Sequence, residues 1–225
     1  MQLLRNIPEV LPQPCVATIG FFDGVHRGHR YLIEQVREVA AAHGFASGVV
    51  TFPVHPRKVV QPEYHPELLT TCEEKVSLLA ETGLDYCMML DFTPEVAILS
   101  AKEFMLFLYD HYNIRALVIG YDHRFGHNRS EGFDDYVRYG QELGIEVILA
   151  RAYIDKDVAV SSSVIRQLLS EGNVSEAAAC LGYDYFLNGM VVSGYRVGRK
   201  IGFPTANLRV DDPDKLVPSD GVYAV

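Results

Sequence analysis

The sequence predicts an α/β fold: an open parallel sheet with helices on both faces, followed by an incomplete antiparallel β module. Three observations support this. Short apolar runs alternate with segments of helical periodicity over the first 150 residues, a pattern typical of parallel strands joined by helices. Near residue 185 helical periodicity ends, and β-branched residues, Gly and Pro become frequent. The length of 225 residues corresponds to one and a half domains of roughly 150 residues each.

The predicted elements alternate through the first unit, which we expect to span residues 1–184. The first strand is an apolar run that begins after Pro14 and ends before Asp23-Gly24, and the first helix ends at Gly44. The later elements show the same two patterns. The expected strands are 15–21, 47–52, 86–91, 115–120 and 146–150, and the expected helices are 28–43, 73–81, 101–112, 133–143 and 164–169. We expect a proline-rich loop over 53–66.

Composition and charge exclude several classes of protein. The chain is 48% hydrophobic and 22% charged, which is typical of a folded globular protein. It has 20 basic and 29 acidic residues, a net charge of −9, whereas nucleic-acid-binding domains usually carry a basic surface. No apolar run reaches the roughly 18 residues of a spanning helix, and residues 1–8 lack the apolar core of a signal peptide. We therefore expect a cytoplasmic protein that binds neither nucleic acid nor membrane; its oligomeric state is not indicated.

The segment between the first strand and the first helix is rich in glycine and polar residues. It reads Gly20-Phe-Phe-Asp-Gly-Val-His-Arg-Gly-His29. Open parallel sheets bind ligands beyond the carboxyl ends of their strands, and a helix N-terminus attracts anions. His26 and His29 are therefore candidates for stabilising a phosphate that gains charge in a transition state.

Two other interpretations of this histidine pair remain open. Such a pair is more often a helix cap or a surface feature. Metal ligation is also possible, but no third His, Cys or carboxylate occurs at a suitable spacing, and the four cysteines show no CxxC pairing. We expect no metal held by protein side chains in the first unit. Neither G-x-G-x-x-G nor G-x-x-x-x-G-K-[ST] is present, so the usual glycine-rich phosphate loops are absent from the sequence.

The motif His26-x-Gly28-His29 resembles the H-x-G-H motif of nucleotidyltransferases. The longer string over 18–29 is similar to that of the prokaryotic bifunctional riboflavin kinase/FAD synthetase family. Further blocks agree with that family in order and spacing: Thr51-Phe52, His55-Pro56-Arg57, Leu69-Thr70-Thr71, Glu74-Lys75, Asp91-Phe92-Thr93, 120–126, 161–166 and 198–208. The resemblance implies a Rossmann-like nucleotidyltransferase domain over 1–184 and the first part of a riboflavin kinase barrel over 185–225.

The resemblance implies transfer of AMP from ATP, accompanied by Mg²⁺, to FMN, giving FAD and pyrophosphate. The implied catalytic residues are His26, His29 and Arg166. The residues implied to bind ATP or its phosphates are Gly20, Phe21, Asp23, Gly28, Asp122, Ser161 and Ser162. The residues implied to bind flavin are Phe52, His55, Pro56, Arg124 and Phe125. Helix capping explains the serines equally well. His123 and Ser163 depart from the Phe and Thr usual in the family.

In the second unit, Thr205 and Asn207 match a Pro-Thr-Ala-Asn motif. By resemblance, that motif binds Mg²⁺ and ATP when riboflavin is phosphorylated to FMN. Residues 185–225 contain no Glu. Because the family carries its catalytic carboxylate further along the barrel, we expect no kinase activity from these 225 residues. We also expect 185–225 to be less ordered than the first unit or to lie against it.

Two alternative functions remain open for the first unit. One is a related nucleotidyltransferase that uses another phosphorylated acceptor. The other is a flavin- or nucleotide-binding protein without turnover.

Overall fold

The computed structural model describes residues 1–5, 10–120, 123–127, 129–153, 160–195, 197–200 and 202–224. The strands are β1 (Gln2–Arg5), β2 (Cys15–Ile19), β3 (Ala46–Thr51), β4 (Tyr86–Met89), β5 (Ile114–Ile119), β6 (Glu146–Leu149), β7 (Met190–Val192) and β8 (Asn207–Arg209). The helices are α1 (Arg27–His43), α2 (Pro56–Val60), α3 (Cys72–Ala80), α4 (Pro94–Ala97), α5 (Ala101–Tyr112), α6 (Phe133–Leu143), α7 (Ser162–Ser170), α8 (Val174–Leu181) and α9 (Val197–Lys200).

Strands β1 to β6 form one parallel sheet in the order β1-β4-β3-β2-β5-β6. From β2 the chain proceeds through β3 to β4 on one side, and then crosses to β5 and β6 on the other side. The strand order therefore reverses between β2 and β5, where Ala17 lies opposite Leu117. Open α/β sheets bind ligands beyond the strand ends at such a reversal.

Each face of the sheet packs against helices, which confirms the predicted fold class. All residues of β2 and β3 are buried, as expected for central strands covered on both faces. One face packs against α5 and α6, with Tyr112 and Tyr136 in the core. The other packs against α1 and α3, with Ile33 and Leu79 in the core. A third cluster joins α7 and α8 to Leu69 and Leu216.

The expected strands and long helices are present, each within about two residues of its predicted ends. The proline-rich loop over 53–66 was predicted wrongly, because it contains α2. His55 caps that helix by accepting the N–H of Arg57, and Pro56 at its first position needs no N–H partner. Elements β1, α4, α8, α9 and β8 were not predicted from the sequence, and α9 departs from the expectation that helical structure ends near residue 185. The first two have four residues each, too few for a hydrophobic period to be recognised.

The segment after residue 185 contains a two-stranded antiparallel sheet of β7 and β8, as expected for the start of a β module. Part of the chain beyond this sheet lies against the first unit, which is one of the two outcomes expected for residues 185–225. The N–H of Leu216 donates to the Leu68 carbonyl at 2.8 Å, and the N–H of Ser219 donates to the Leu169 carbonyl at 3.2 Å. The domain boundary at 184/185 stays a prediction. Within the described ranges, no helix is both long and apolar enough to span a membrane.

Candidate functional site

Two adjoining cavities open where the strand order reverses. The smaller has a volume of about 360 Å³ and the larger about 830 Å³. Both are lined by Ile19, Gly20, Phe21, His55 and His123. The smaller cavity is the polar one, since His29, Ser162 and Arg166 also line it. The arrangement places a charged cavity and a mostly apolar cavity side by side.

The two histidines of the first turn are stacked on each other. Their ring centroids lie 3.6 Å apart with an interplanar angle of 17°. His26 is the N-cap of α1, and its Nδ1 accepts the backbone N–H of His29 at 3.3 Å. His26 is therefore a helix cap, as one interpretation of the sequence had it, and its Nδ1 atom is the acceptor. His29 lines the smaller cavity, whereas His26 supports it from behind and is 5% exposed.

Burial keeps both imidazoles neutral near pH 7. It lowers the pKa of His26 to about 4, while Asp23 opposes this shift and Arg166 adds to it. Burial also lowers the pKa of His29 well below its ordinary value, with further lowering from His26 and Lys75. A neutral His26 that accepts at Nδ1 carries its proton on Nε2. Nδ1 of His29 is buried and has no hydrogen-bond partner among the described residues. Neutral rings of this kind can donate hydrogen bonds to phosphate oxygens.

The backbone of the first turn is strained. Phe22 has φ 54° and Val25 has φ 36°, both in the left-handed region that costs a non-glycine residue about 1–3 kcal/mol. Gly24 between them has φ 78°, and a Cβ there would lie 2.8 Å from a methyl group of Leu69. At Gly28 a Cβ would lie 3.3 Å from the His26 ring. Gly28 therefore leaves room for the stacked histidine, and the strained turn holds that ring over α1.

Asp23 is 3% exposed and joins three segments of the chain. Its carboxylate accepts the N–H groups of Leu69 and Thr70, each at 3.1 Å, and Nη2 of Arg166 at 2.6 Å. The Nε–H of Arg166 donates to the Glu67 carbonyl at 2.6 Å. Arg166 is thus held at two points, and its remaining N–H groups can donate to an anion in the smaller cavity.

The serines at the start of α7 have separate roles in the fold. Ser161 is the N-cap, and its Oγ accepts the N–H of Val164 at 3.3 Å. The Ser162 hydroxyl donates to the backbone carbonyl of Asp23 at 3.0 Å and lines the smaller cavity. Helix α7 is therefore fixed to the first turn, and Arg166 one helical turn further on faces the same space.

All five residues expected to bind flavin line the larger cavity: Phe52, His55, Pro56, Arg124 and Phe125. Further apolar side chains that were not predicted from the sequence also line it, among them Phe92, Ile98 and Phe104. Phe92 packs edge-on against Phe52, with 5.4 Å between ring centroids. His55 packs edge-on against Phe21, and burial lowers its pKa. Aromatic walls with a few polar groups suit a flat heteroaromatic ring.

A buried lysine that was not among the predicted site residues lies behind the site. Lys75 is 1% exposed, donates to the Phe52 carbonyl at 2.7 Å and has its Nζ 3.9 Å from the centre of the Phe21 ring. Burial lowers its pKa to about 8. The block Glu74-Lys75 was noted only within the family resemblance. No pattern in the sequence distinguishes this lysine from a solvated one.

Some predicted residues lie away from the cavities or outside the described ranges. Asp122 falls outside the described residues. Thr205 and Asn207 are exposed in and beside the β7–β8 sheet. In the described part of the chain, no group of three or more His, Cys, Asp or Glu side chains is placed to hold a metal ion.

Comparison with known proteins gives consistent results along the chain. The family model for FAD synthetase matches residues 9–164, and that for riboflavin kinase matches residues 181–225. The bifunctional riboflavin kinase/FMN adenylyltransferase of Escherichia coli (strain K12) is 36% identical over 229 aligned residues, which cover 100% of this chain and 72% of the relative. The protein of that name from Listeria monocytogenes is 36% identical over 93% of this chain and 67% of its own length.

A solved structure shares the fold over nearly the whole chain. It is described as a macrolide-efflux protein from Streptococcus pneumoniae, is 32% identical and superposes with a TM-score of 0.85. The superposition covers 98% of this chain and 73% of that one. That description differs from the names of the relatives above. The FAD synthetase match, which includes His26 and His29, and the identity to the Escherichia coli relative over the full chain show that this chain belongs to the FAD synthetase family.

Proposed function

We propose that the chain transfers AMP from ATP to FMN, giving FAD and pyrophosphate. One observation carries the proposal: a polar cavity lined by His29, Ser162 and Arg166 shares five lining residues with a larger, mostly aromatic and apolar cavity. A reaction between a triphosphate and a flavin phosphate needs both kinds of space within reach of each other. The names of the relatives, which couple FMN adenylyltransferase to riboflavin kinase, support the same substrates.

In this reaction an oxygen of the FMN phosphate attacks the α-phosphorus of ATP. A new P–O bond forms, the bond to the β-phosphate oxygen breaks, and its electron pair leaves with pyrophosphate. The step needs in-line positioning and neutralisation of charge, with no covalent group from the protein. His29 is placed to donate to a phosphate oxygen as a neutral imidazole. Arg166 is placed to hold the charge that accumulates in the transition state.

In this proposal the role of His26, Gly28 and Asp23 is to position neighbouring side chains. His26 stacks on His29 and caps α1, Gly28 leaves space for the His26 ring, and Asp23 fixes Arg166. Ser161 and Ser162 start α7 and tie it to the first turn. Gly20 and Phe21 line both cavities, where the α-phosphate of ATP would meet the FMN phosphate.

Mg²⁺ enters the proposal as the companion of ATP. The described side chains form no acidic or histidine cluster for it, so the phosphate oxygens of ATP would be its main ligands. When bound, the ion neutralises phosphate charge. The residues named above bind and orient the substrates around it.

The proposal is tested by incubating the purified chain with ATP, Mg²⁺ and FMN and measuring FAD by chromatography and pyrophosphate by a coupled assay. Equal amounts of FAD and pyrophosphate are expected. Pyrophosphate release only with another phosphorylated acceptor would indicate a related nucleotidyltransferase. Quenching of FMN fluorescence without pyrophosphate release would indicate binding alone. Riboflavin in place of FMN tests the second unit separately.

His29→Ala is the variant that links the assay to the site. Loss of one transition-state donor is expected to lower kcat by about 10²-fold. The matched control is His43→Ala, because His43 lies on the protein surface beside Glu146, away from both cavities. His43→Ala should keep the rate of the unaltered chain. An unchanged rate in His29→Ala would remove His29 from the reaction.

A further inference from the structure

A second buried lysine lies where the C-terminal segment meets the first unit. The side chain of Lys215 is 0% exposed. Its Nζ donates to the Leu69 carbonyl and to Oε2 of Glu74, both at 2.7 Å. The rings of Tyr185 and Phe186 lie 4.5 and 5.4 Å from the same nitrogen. Burial lowers the pKa of Lys215, and the Glu74 carboxylate opposes that shift. A buried ammonium is costly unless it is paired, and this one is surrounded by a carboxylate, a carbonyl and two aromatic rings.

Glu74 is the partner that anchors Lys215 to the fold. Its Oε2 also accepts the N–H of Thr71, closing the capping box at the start of α3. Its Oε1 accepts the side-chain amide of Asn188 at 3.0 Å. Two residues of the C-terminal segment, Asn188 and Lys215, thus converge on one carboxylate at the start of α3.

The backbone around Lys215 is paired with residues 67–69. The N–H of Leu68 donates to the Asp214 carbonyl at 2.6 Å, and the N–H of Leu216 donates to the Leu68 carbonyl at 2.8 Å. Lys215 and Leu68 form an isolated parallel bridge. An ion pair between Lys58 and Asp214 lies at the edge of this contact. The segment 212–219, which we call the C-terminal brace, therefore lies directly against residues 67–71.

The same short stretch supports Arg166 from its other side. The N–H groups of Leu69 and Thr70 donate to Asp23, which pairs with Arg166, and the Glu67 carbonyl accepts the Arg166 Nε–H. Leu69 is shared by both sets of contacts, because its N–H bonds to Asp23 and its carbonyl accepts Lys215. A continuous series of hydrogen bonds thus runs from Lys215 through residues 67–71 to the guanidinium at the phosphate end of the site.

We propose that Lys215 is a positioning residue for adenylyl transfer, which fixes Arg166 by bracing residues 67–71 from the C-terminal segment. The inference rests on the proposed function for its kinetic consequence, while the bracing itself is a property of the unliganded chain. Lys215 belongs to the part of the sequence that matches the riboflavin kinase family. The brace therefore makes the second unit part of the support for the first unit's site.

The test compares Lys215→Met with the unaltered chain. Methionine keeps most of the side-chain volume but removes the charge and both hydrogen bonds. kcat for FAD formation is expected to fall by about 3- to 30-fold, with the KM for FMN unchanged. Exchange of the Arg166 Nε–H with solvent, measured by NMR without substrate, is expected to become faster. The matched control is Arg209→Met, which removes an exposed ion pair with Asp211 in the same unit and should change neither quantity.

A double-mutant cycle separates positioning from general stabilisation. If Lys215 acts through Arg166, Lys215→Met should have little further effect on kcat in an Arg166→Ala background. Effects that multiply in the double variant, or an unchanged Nε–H exchange in Lys215→Met, would overturn the proposal. Should Lys215→Met fail to fold, Lys58→Met loosens the same brace at its accessible edge. Lys58→Met must then show faster exchange of the Arg166 Nε–H and little further effect on kcat in the Arg166→Ala background. If either effect is missing, the proposal is overturned.

The two proposals can fail independently. If the unaltered chain forms no FAD, the proposed function is wrong, yet the Arg166 exchange measurement still tests the brace. If FAD forms and exchange is unaffected by Lys215→Met, the function stands and the brace is wrong.

Discussion

The Asp23 carboxylate and the Arg166 guanidinium meet at 2.6 Å, although 143 positions separate them in the chain. Asp23 is in the turn after β2, and Arg166 is in α7. Because Asp23 also accepts two backbone N–H groups from residues 69–70, the ion pair fixes three segments relative to one another. The position of the guanidinium at the phosphate end of the site depends on this pair.

We expect Asp23→Asn to destabilise the chain by about 2–3 kcal/mol, measured by urea unfolding at pH 7. An amide has only one oxygen to accept hydrogen bonds, so at least one donor among Leu69, Thr70 and Arg166 loses its partner. FAD formation should fall with it, since Arg166 loses its counter-charge. Asp211→Asn is the control: its pair with Arg209 is exposed, and its loss should cost under about 0.5 kcal/mol. Equal stabilities of the two variants would contradict this account of Asp23.

The lowered pKa of His26 predicts how the free energy of unfolding changes with pH. Its pKa is about 4 in the folded chain and about 6.5 when unfolded, so below pH 6.5 the unfolded state binds the extra proton. Stability should therefore fall as pH decreases from 6.5 to 4. For His26 alone the loss between pH 7.5 and 5.5 is about 1.4 kcal/mol. His26→Gln should reduce the loss over this range by that amount, measured by urea unfolding at both pH values. An identical loss in both proteins would show that His26 is not held neutral by burial.

The sheet and the first turn could be predicted from the sequence, because their signals are local. Strand β3 is fully buried around Val49 and Val50, and α1 shows helical spacing and is capped by Gly44. The four-residue strand β1 has three residues that are not buried, so it offers no comparable pattern. Helix α2 begins at a proline, in a segment whose composition is typical of a loop. Short elements are decided by packing rather than by their own sequence.

Individual site residues could be identified from the sequence, but the hydrogen bonds and ion pairs between them could not. His29 was a candidate from its position in the turn after the first strand, and Arg166 was identified through the family resemblance. The Asp23–Arg166 pair joins distant segments and requires the fold. Lys75 and Lys215 are buried lysines, which sequence reasoning places on the surface by default. Their burial results from carbonyl, carboxylate and aromatic partners that the tertiary structure brings together.

Lys75 predicts an alkaline limit to activity. Its pKa of about 8 means that the ammonium behind Phe21 is present at pH 7 and is lost as pH rises through 8. The charge favours binding of phosphates near His29, so kcat/KM for ATP, which reports the free enzyme, should fall above pH 8. Lys75→Met should lower kcat/KM at pH 7 by about fivefold, the effect of one charge at about 1 kcal/mol, and should remove this alkaline decrease.

A pH profile of Lys75→Met that keeps the decrease above pH 8 would assign it to another group. Lys102→Met is the control, because Lys102 is exposed on α5 and pairs with Glu142. Its profile should match that of the unaltered chain.

A substitution in the larger cavity is expected to weaken flavin binding without affecting ATP. Phe92 lines this cavity and not the smaller one, and it packs against Phe52. Phe92→Ala should raise the dissociation constant for FMN by about tenfold, the effect of losing an aromatic contact of about 1.4 kcal/mol, measured by quenching of FMN fluorescence. The KM for ATP should change by less than about twofold, because the phosphate end keeps all its contacts. Leu106→Ala, at an exposed position of α5, is the control and should change neither value. If Phe92→Ala weakened ATP and left FMN binding intact, the aromatic cavity would hold the nucleotide, and the assignment of the two ends would have to be reversed.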